Sequence, residues 1–369
     1  MVRVAPYMII ALALAACGGS AGNGDSGASG FADTVYSPSE AAFTILSDVS
    51  SGGRLIVPDT TGGYGFALPL YVGDGKAPDG VCSIGAPAQR IVCMSSTHVA
   101  MLSALGLTDR IVGVSGLRYI SDPEIQRRQP ADIGPGENVD YELLLSLEPD
   151  LVMLYGIGAP SPMEPKLREL GIPYIYLNEF IEQSPLGKAE WLVAVAEICG
   201  KGDEGRRIFH DIVTRYEQIR LDVPDSIERP KVMLNMPYQG SWFMPASRSY
   251  MIRLVEDAGG SYVYRNSNTS STPVDMEEAY MLASQADVWL NVDAVSSLQE
   301  LKRVLPRFAD IPSVRSGSVW ASNKRSTPGG GNDFYESGVV YPDRVLSDLH
   351  AIFTGKGTDS TYYYVELDR

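Results

Sequence analysis

SPLGKAEWLVAVAEICGKGDEGRRIFHDIVTRYEQIRL, residues 184 to 221, is the stretch on which the fold turns. Ser184-Pro185 suits a helix start, because the hydroxyl caps a free backbone N–H and proline fits the first turn. Apolar side chains then recur at helical spacing through Trp191, Val195, Ile198, Phe209, Ile212, Val213 and Tyr216. The spacing predicts a single helix of roughly 55 Å, at about 1.5 Å per residue. Gly200, Gly202 and Gly205 weaken its middle and favour a kink there. Pro224 and Pro230 end the segment.

On both sides of this stretch, strands alternate with helices. Before it, apolar strands are predicted at 90–94, 110–114, 150–155 and 173–177. Helices fall at 97–105, 141–147 and 163–170, with Gly106 and Gly171 as stops. After it come strands at 231–235, 287–291 and 319–321, and helices at 249–258, 276–284 and 341–353. Helices of this length between apolar strands imply βαβ units and a largely parallel sheet. The halves also echo each other: Val139-Asp140-Tyr141-Glu142 leads to Asp150-Leu151-Val152, and Val274-Asp275-Met276-Glu277 leads to Asp287-Val288-Trp289. The expected fold is α/β: two Rossmann-like lobes, 85–183 and 231–369, joined by a bridging helix over 184–222. Residues 31–84 read as an N-terminal β extension, with Arg54-Leu55-Ile56-Val57 and the run 66–72 as strands between glycine turns.

The chain has 369 residues, more than one typical core, with 44% hydrophobic and 20% charged residues. Net charge is -15 and no cluster of Lys and Arg occurs, which argues against a nucleic-acid partner. Residues 1–16 carry one early cation, Arg3, and then an apolar run too short to be a permanent span, so they read as a signal peptide. Leu14-Ala15-Ala16-Cys17 looks like a bacterial lipobox, in which cleavage precedes the Cys and its sulfur is acylated; an ordinary signal peptide with an unrelated Cys is the alternative. Residues 17–30 are Gly, Ser, Ala, Asn and Asp almost throughout, the composition of a flexible tether. The expected location is periplasmic or cell-surface, anchored to a membrane through lipid on Cys17. Cys82, Cys93 and Cys199 remain, an odd count. Cys82 and Cys93 are close enough in sequence to bridge after export, and three small buried thiols are the plainer reading. Irregular spacing and scarce histidine argue against a zinc site.

Several stretches together resemble the class III substrate-binding proteins of ABC importers, the family that binds ferric siderophores, haem and vitamin B12. They are Arg90-Ile91-Val92 before Ser95-Ser96-Thr97, Asp109-Arg110-Ile111-Val112-Gly113-Val114, Asp140-Tyr141-Glu142 with Glu148-Pro149-Asp150-Leu151-Val152, Leu170-Gly171-Ile172-Pro173, Asp257-Ala258-Gly259-Gly260 and Pro342-Asp343-Arg344-Val345-Leu346. The resemblance covers nearly all of 85–355. It implies a ligand held in the cleft between two lobes, and a rigid connector that limits closure to a small rocking motion. It also implies that Glu142 and Glu277, one per lobe, dock onto arginines of the permease, where two fixed carboxylates set orientation. The plainer role is a helix-start carboxylate favoured by the dipole, worth about 0.3–1 kcal/mol.

The cleft is expected at loops on strand ends. Those loops carry Tyr119, Tyr155, Tyr238, Trp242, Arg248, Lys324, Arg325, Phe334 and Tyr335. Aromatic faces and guanidinium forks suit a bulky, partly anionic chelate. The expected ligand contacts are Arg248 and Arg325 on ligand oxygens, Trp242 and Tyr155 as stacking walls, and Tyr119. The run Gly329-Gly330-Gly331 permits close backbone approach and reads as a lip of the cleft. The three histidines fall on separate helices, so direct capture of a bare metal is not expected; His98 either packs or reaches a haem iron. No Gly-x-Ser-x-Gly, His-Glu-x-x-His or Ser-x-x-Lys set points to an enzyme, which stays as the different-class alternative. The expectation is a monomer with no cofactor. Its ligand is an iron chelate of the siderophore type, with a corrinoid or haem as alternatives, and its partner is an ABC permease dimer with its ATPase.

Overall fold

The computed structural model describes residues 31–59, 67–223 and 228–369; the expected signal peptide (1–16), Cys17 and the expected tether (17–30) lie outside them. The first sheet runs in order β1 (Phe31–Tyr36), β2 (Phe43–Asp48), β3 (Arg54–Pro58), β4 (Leu70–Val72) and β5 (Cys82–Ile84), antiparallel except for the last pair.

The next sheet contains β6 (Ile91–Cys93), β7 (Ile111–Val114), β8 (Ala131–Asp132), β9 (Leu151–Leu154) and β10 (Tyr174–Tyr176). Its order is β10-β9-β6-β7-β8, parallel throughout. Helices α1 (Ser96–Ala104), α2 (Pro123–Arg128), α3 (Tyr141–Ser146) and α4 (Glu164–Leu170) connect the strands. β6, β9 and β10 are wholly buried. That is why they read as unbroken apolar runs: a parallel sheet is covered on both faces.

The stretch 184–221 is two helices, not one: α5 (Pro185–Ile198) and α6 (Gly202–Leu221). The break is a Schellman closure. Gly200 takes φ +70, its N–H reaches Glu197 O at 3.1 Å, and Lys201 N–H reaches Ala196 O at 2.7 Å. α6 then packs back on α5, so closely at Gly205 that a Cβ there would collide with Ala196 Cβ. The glycines that looked like weak points in a long rod are the turn and the close approach of a helix pair. The step to the last lobe therefore falls to the 20 residues of α6, about 30 Å long.

The last lobe contains β11 (Lys231–Leu234), β12 (Trp242–Met244), α7 (Tyr250–Asp257), β13 (Ser261–Tyr262), β14 (Thr272–Val274), α8 (Met276–Ala283), β15 (Val288–Leu290), α9 (Leu298–Val304), α10 (Pro312–Ser316), β16 (Val319–Ala321), α11 (Ser337–Val340), α12 (Pro342–Thr354) and β17 (Val365–Glu366). Its sheet order is β13-β11-β15-β16-β17, parallel except for β17, with β12 and β14 paired apart. α6 is tied to this lobe by Arg215 Nε to Asp343 at 2.6 Å and by the Tyr216 hydroxyl donating to Asp257 at 2.7 Å. One apolar cluster runs from Ile56 through Val92's neighbours Ile91 and Cys93, all along α5, to Leu290 and Leu346. Cys82, Cys93 and Cys199 are free thiols, with Cys93 and Cys199 buried.

The first sheet is clasped by glutamates. The Glu190 carboxylate on α5 accepts from the Tyr36 hydroxyl (2.7 Å) and from the N–H groups of Ser39 (2.9 Å), Glu40 (3.0 Å) and Ala41 (3.0 Å). Glu182 accepts from Ala42 N–H, and Glu197 pairs with Arg54 at 2.8 Å. Glu190→Ala strands all the donors that Glu190 serves. It is expected to cost roughly 2–4 kcal/mol. Hydrogen exchange should speed up in β1–β3 while β6–β10 stay protected.

Candidate functional site

Strand order reverses where β9 and β7 flank β6, and a crevice opens outside the strand ends at such a point. The loops there, from both parallel sheets, hold several of the exposed large apolar side chains among the described residues. Tyr119, Tyr155 and Ile157 come from one lobe, and Tyr238 and Tyr335 from the other. Ile157 is 76% exposed and Tyr238 65%, a poor use of apolar surface unless something covers it.

A cavity of about 590 Å³ lies between the lobes, with Ile157, Phe180 and Gln183 on one wall and Arg248, Tyr250 and Ser270 on the other. A neighbouring one of about 240 Å³ is lined by Met94, Glu137, Tyr155 and Pro160, and shares Ile157. Together they form one trough. Arg248 is exposed on its wall and makes no hydrogen bond or ion pair among the described residues. The acid lining this cavity, Glu182 on the facing wall, is engaged: it accepts from Trp191 Nε1 and from Ala42 N–H, and burial pushes its carboxyl up.

The sequence-based site is therefore partly assembled. Tyr155 and Arg248 line the trough. Tyr119 stands half-exposed on its own loop, with the Arg118 guanidinium 4.3 Å over its ring. Trp242 is a correction. It has no exposed surface, stacks at 5.4 Å on both Trp289 and Phe308, and donates to Leu234 O, so it is core and not a stacking wall. Arg325 is a second correction: it pairs with Asp333 at 2.7 Å, lies 4.3 Å over Tyr362, and faces a separate cavity. Lys324 is turned onto Thr361, and Phe334 is buried among tyrosines. Gly329 and Gly331 meet the backbone oxygens of Arg118 and Tyr119, so the close approach that the glycines permit is between the lobes.

Sequence reading missed Ile157, Phe180 and Tyr250. It also missed Asn235 and Asn291, which follow β11 and β15 directly with φ 65 and 61. Left-handed backbone at two adjacent strand ends turns the chain sharply there, and Asn is among the few residues that tolerate it. An Asn closing an apolar strand was the available signal.

Glu142 and Glu277 both stand exposed in the first turn of α3 and α8. Asp140 caps Leu143 N–H, and Asp275 caps the N–H groups of Glu277 and Glu278. Glu277 lies 3.6 Å from Arg307. No group of His, Cys, Asp and Glu among the described residues is arranged to hold a metal ion.

Two α/β lobes around a trough are the architecture of a two-lobed solute-binding protein. The chain belongs to the periplasmic binding protein family, whose model matches residues 91–325; the first sheet precedes the matched region. These are binding proteins and not enzymes. The chain is similar to an uncharacterized lipoprotein of Methanocaldococcus jannaschii, 25% identical over 75% of this chain and 68% of that one. Its fold is similar to that of a periplasmic haem-binding protein from Roseiflexus sp. RS-1, with TM-score 0.58, 20% identity, and 73% and 98% of the two chains covered. It is also similar to that of the periplasmic vitamin B12-binding protein of Vibrio cholerae, with TM-score 0.56, 18% identity, and 73% and 97% covered. Family and lipoprotein relative both point to an extracytoplasmic location.

His98 is fully buried on α1 and out of reach of a ligand, so it packs. Burial holds its pKa down at about 3, against 6.5 for a free imidazole. The fold thus favours the neutral ring. That contribution is complete above about pH 6.5 and is lost as pH falls toward 3, on the order of 5 kcal/mol in all. His98→Leu is expected to flatten the acid limb of stability, read from urea unfolding at a series of pH values below 7.

Proposed function

We propose that the chain is the extracytoplasmic solute-binding lipoprotein of an ABC importer, carrying a ferric chelate of the siderophore type in the trough. The observation that carries this reading is the unpaired guanidinium of Arg248 in a trough whose apolar and aromatic surface comes from Ile157, Phe180, Tyr250 and the nearby Tyr155. Apolar faces cover the organic frame of such a chelate, and one free fork takes its anionic oxygens. A corrinoid is the second reading, supported by the likeness to a vitamin B12-binding protein. Cys17, at the end of Leu14-Ala15-Ala16, supplies the lipid anchor, and 17–30 the tether. The permease dimer with its ATPase receives the ligand.

Absorbance titration with ferric siderophores, haem and cobalamin tests the ligand. Saturable retention of a ferric chelate is expected, and retention of the cobalamin spectrum alone sinks the iron reading. Arg248→Gln should weaken binding about tenfold, or roughly 1.4 kcal/mol, with unchanged thermal stability.

Glu142 and Glu277 are proposed to dock on cationic patches of the permease, one per lobe. The Glu142→Arg, Glu277→Arg double variant should abolish uptake in cells while the purified protein keeps its ligand affinity. Normal uptake by that variant removes the docking role.

A further inference from the structure

A second inter-lobe cavity, of about 180 Å³, lies apart from the trough. One lobe contributes Ser103 of α1 and Ser121 and Asp122 at the start of α2; the other contributes Arg325, Glu336 and Arg344 with the rings of Tyr341 and Tyr362. Most of its polar groups are already satisfied. Arg325 is paired with Asp333. The Asp122 carboxylate accepts from Glu124 N–H, Ile125 N–H and the Ser103 hydroxyl.

Two donors are not. The Arg344 guanidinium lies 4.1 Å over the Tyr341 ring and 5.1 Å from that of Tyr362, with no hydrogen bond or ion pair among the described residues. The Ser121 hydroxyl is buried and has no partner. A guanidinium stacked on rings keeps its N–H groups free at its edge, where an oxyanion binds. A buried hydroxyl left without a partner loses about 1–3 kcal/mol, which an acceptor in the cavity would restore.

Between these donors sits Glu336, whose carboxyl oxygens accept from Ser121 N–H (2.6 Å) and Asp122 N–H (2.9 Å) across the lobe junction. The groups facing it are Asp122 from the α2 side, and Asp333, Arg325, Arg344, Tyr341 and Tyr362 from its own lobe. Burial, and then the charges of Asp333 and Asp122, push its pKa up to about 8 against the lowering pull of the two N–H groups. At neutral pH it therefore holds a proton, and the cavity is not filled with a third negative charge.

We propose that this cavity binds a small tetrahedral oxyanion, of sulfate or phosphate type, held by Arg344 of one lobe and the Ser121 hydroxyl of the other. The volume suits such an ion and excludes the chelate of the trough. An anion here raises the proton affinity of Glu336 further. Binding therefore takes up a proton wherever Glu336 is ionised beforehand, and affinity strengthens as pH falls through about 8. The ion would also join the lobes at their junction, since Ser121 and Arg344 come from different lobes.

The test is calorimetric titration of the full chain with sodium sulfate, which keeps its charge across the range, at fixed ionic strength near pH 6.5 and near pH 9. One saturable site is expected, several-fold tighter at the lower pH. Arg344→Gln should lose at least tenfold and Ser121→Ala several-fold, while Glu336→Gln should bind alike at both pH values. Ser121→Ala removes a single hydroxyl and guards against an Arg344 variant that does not fold. Absence of saturable sulfate binding by the unmodified protein overturns the proposal, as does full affinity in both the Arg344→Gln and Ser121→Ala proteins.

Discussion

A helix buried on every side must find partners for each charge it carries, and α5 carries Lys188, Glu190 and Glu197 with none of its fourteen residues exposed. An unpaired ion in such a place is worth several kcal/mol against folding. The three charges are satisfied in three directions. Glu190 reaches the first sheet. Glu197 takes Arg54 of that sheet and Arg206 of α6. Lys188 donates to Glu179 O at 2.9 Å, beyond β10, and lies 4.6 Å under the Tyr250 ring of the last lobe. The sheets and α6 are thus fixed relative to one helix by groups that cannot afford to let go.

This constraint reaches the trough. Tyr250 rests on Lys188 and lines the larger cavity, and the Glu182 carboxyl on the facing wall is held by Trp191 of the same helix. The walls are therefore set by contacts made before any ligand arrives. Binding to a preformed trough loses little conformational freedom, so more of the contact energy appears as affinity. A core shared between the lobes also leaves small rocking as the available motion, because packed interfaces slide by little before they break.

Much of this was legible in the sequence, and the failures have physical causes. Parallel strands announce themselves as apolar runs, and Ser184, Asp140 and Asp275 cap as their chemistry predicts. The turn at Gly200 was present in the sequence as a glycine, but helical periodicity continues across it, and period alone does not separate one bent helix from two packed ones. Trp242 and Phe243 alternate on β12, so one ring goes inward and the other outward, and which face is core depends on a sheet assembled from distant segments. Arg325 looked free because its partner Asp333 meets it only when the loop closes. Tyr155 and Arg248 were recoverable because each follows a strand on the crevice side. Their being brought to one trough depends on the lobe junction, a long-range fact.

The charge of the chain bears on what the trough can hold. A net charge of -15 opposes an anionic ligand at a distance, yet at physiological ionic strength that field decays within about 8 Å. Inside the trough the local groups dominate, and there Arg248 is uncompensated while Glu182 is spent on Trp191 and Ala42. The outer acidity acts instead on large partners, whose surfaces come within a screening length over a wide area. Glu142 and Glu277, exposed at two helix starts, are fixed points in that acidic field. Local cation and global anion thus work on different partners, because distance and screening separate what each of them sees.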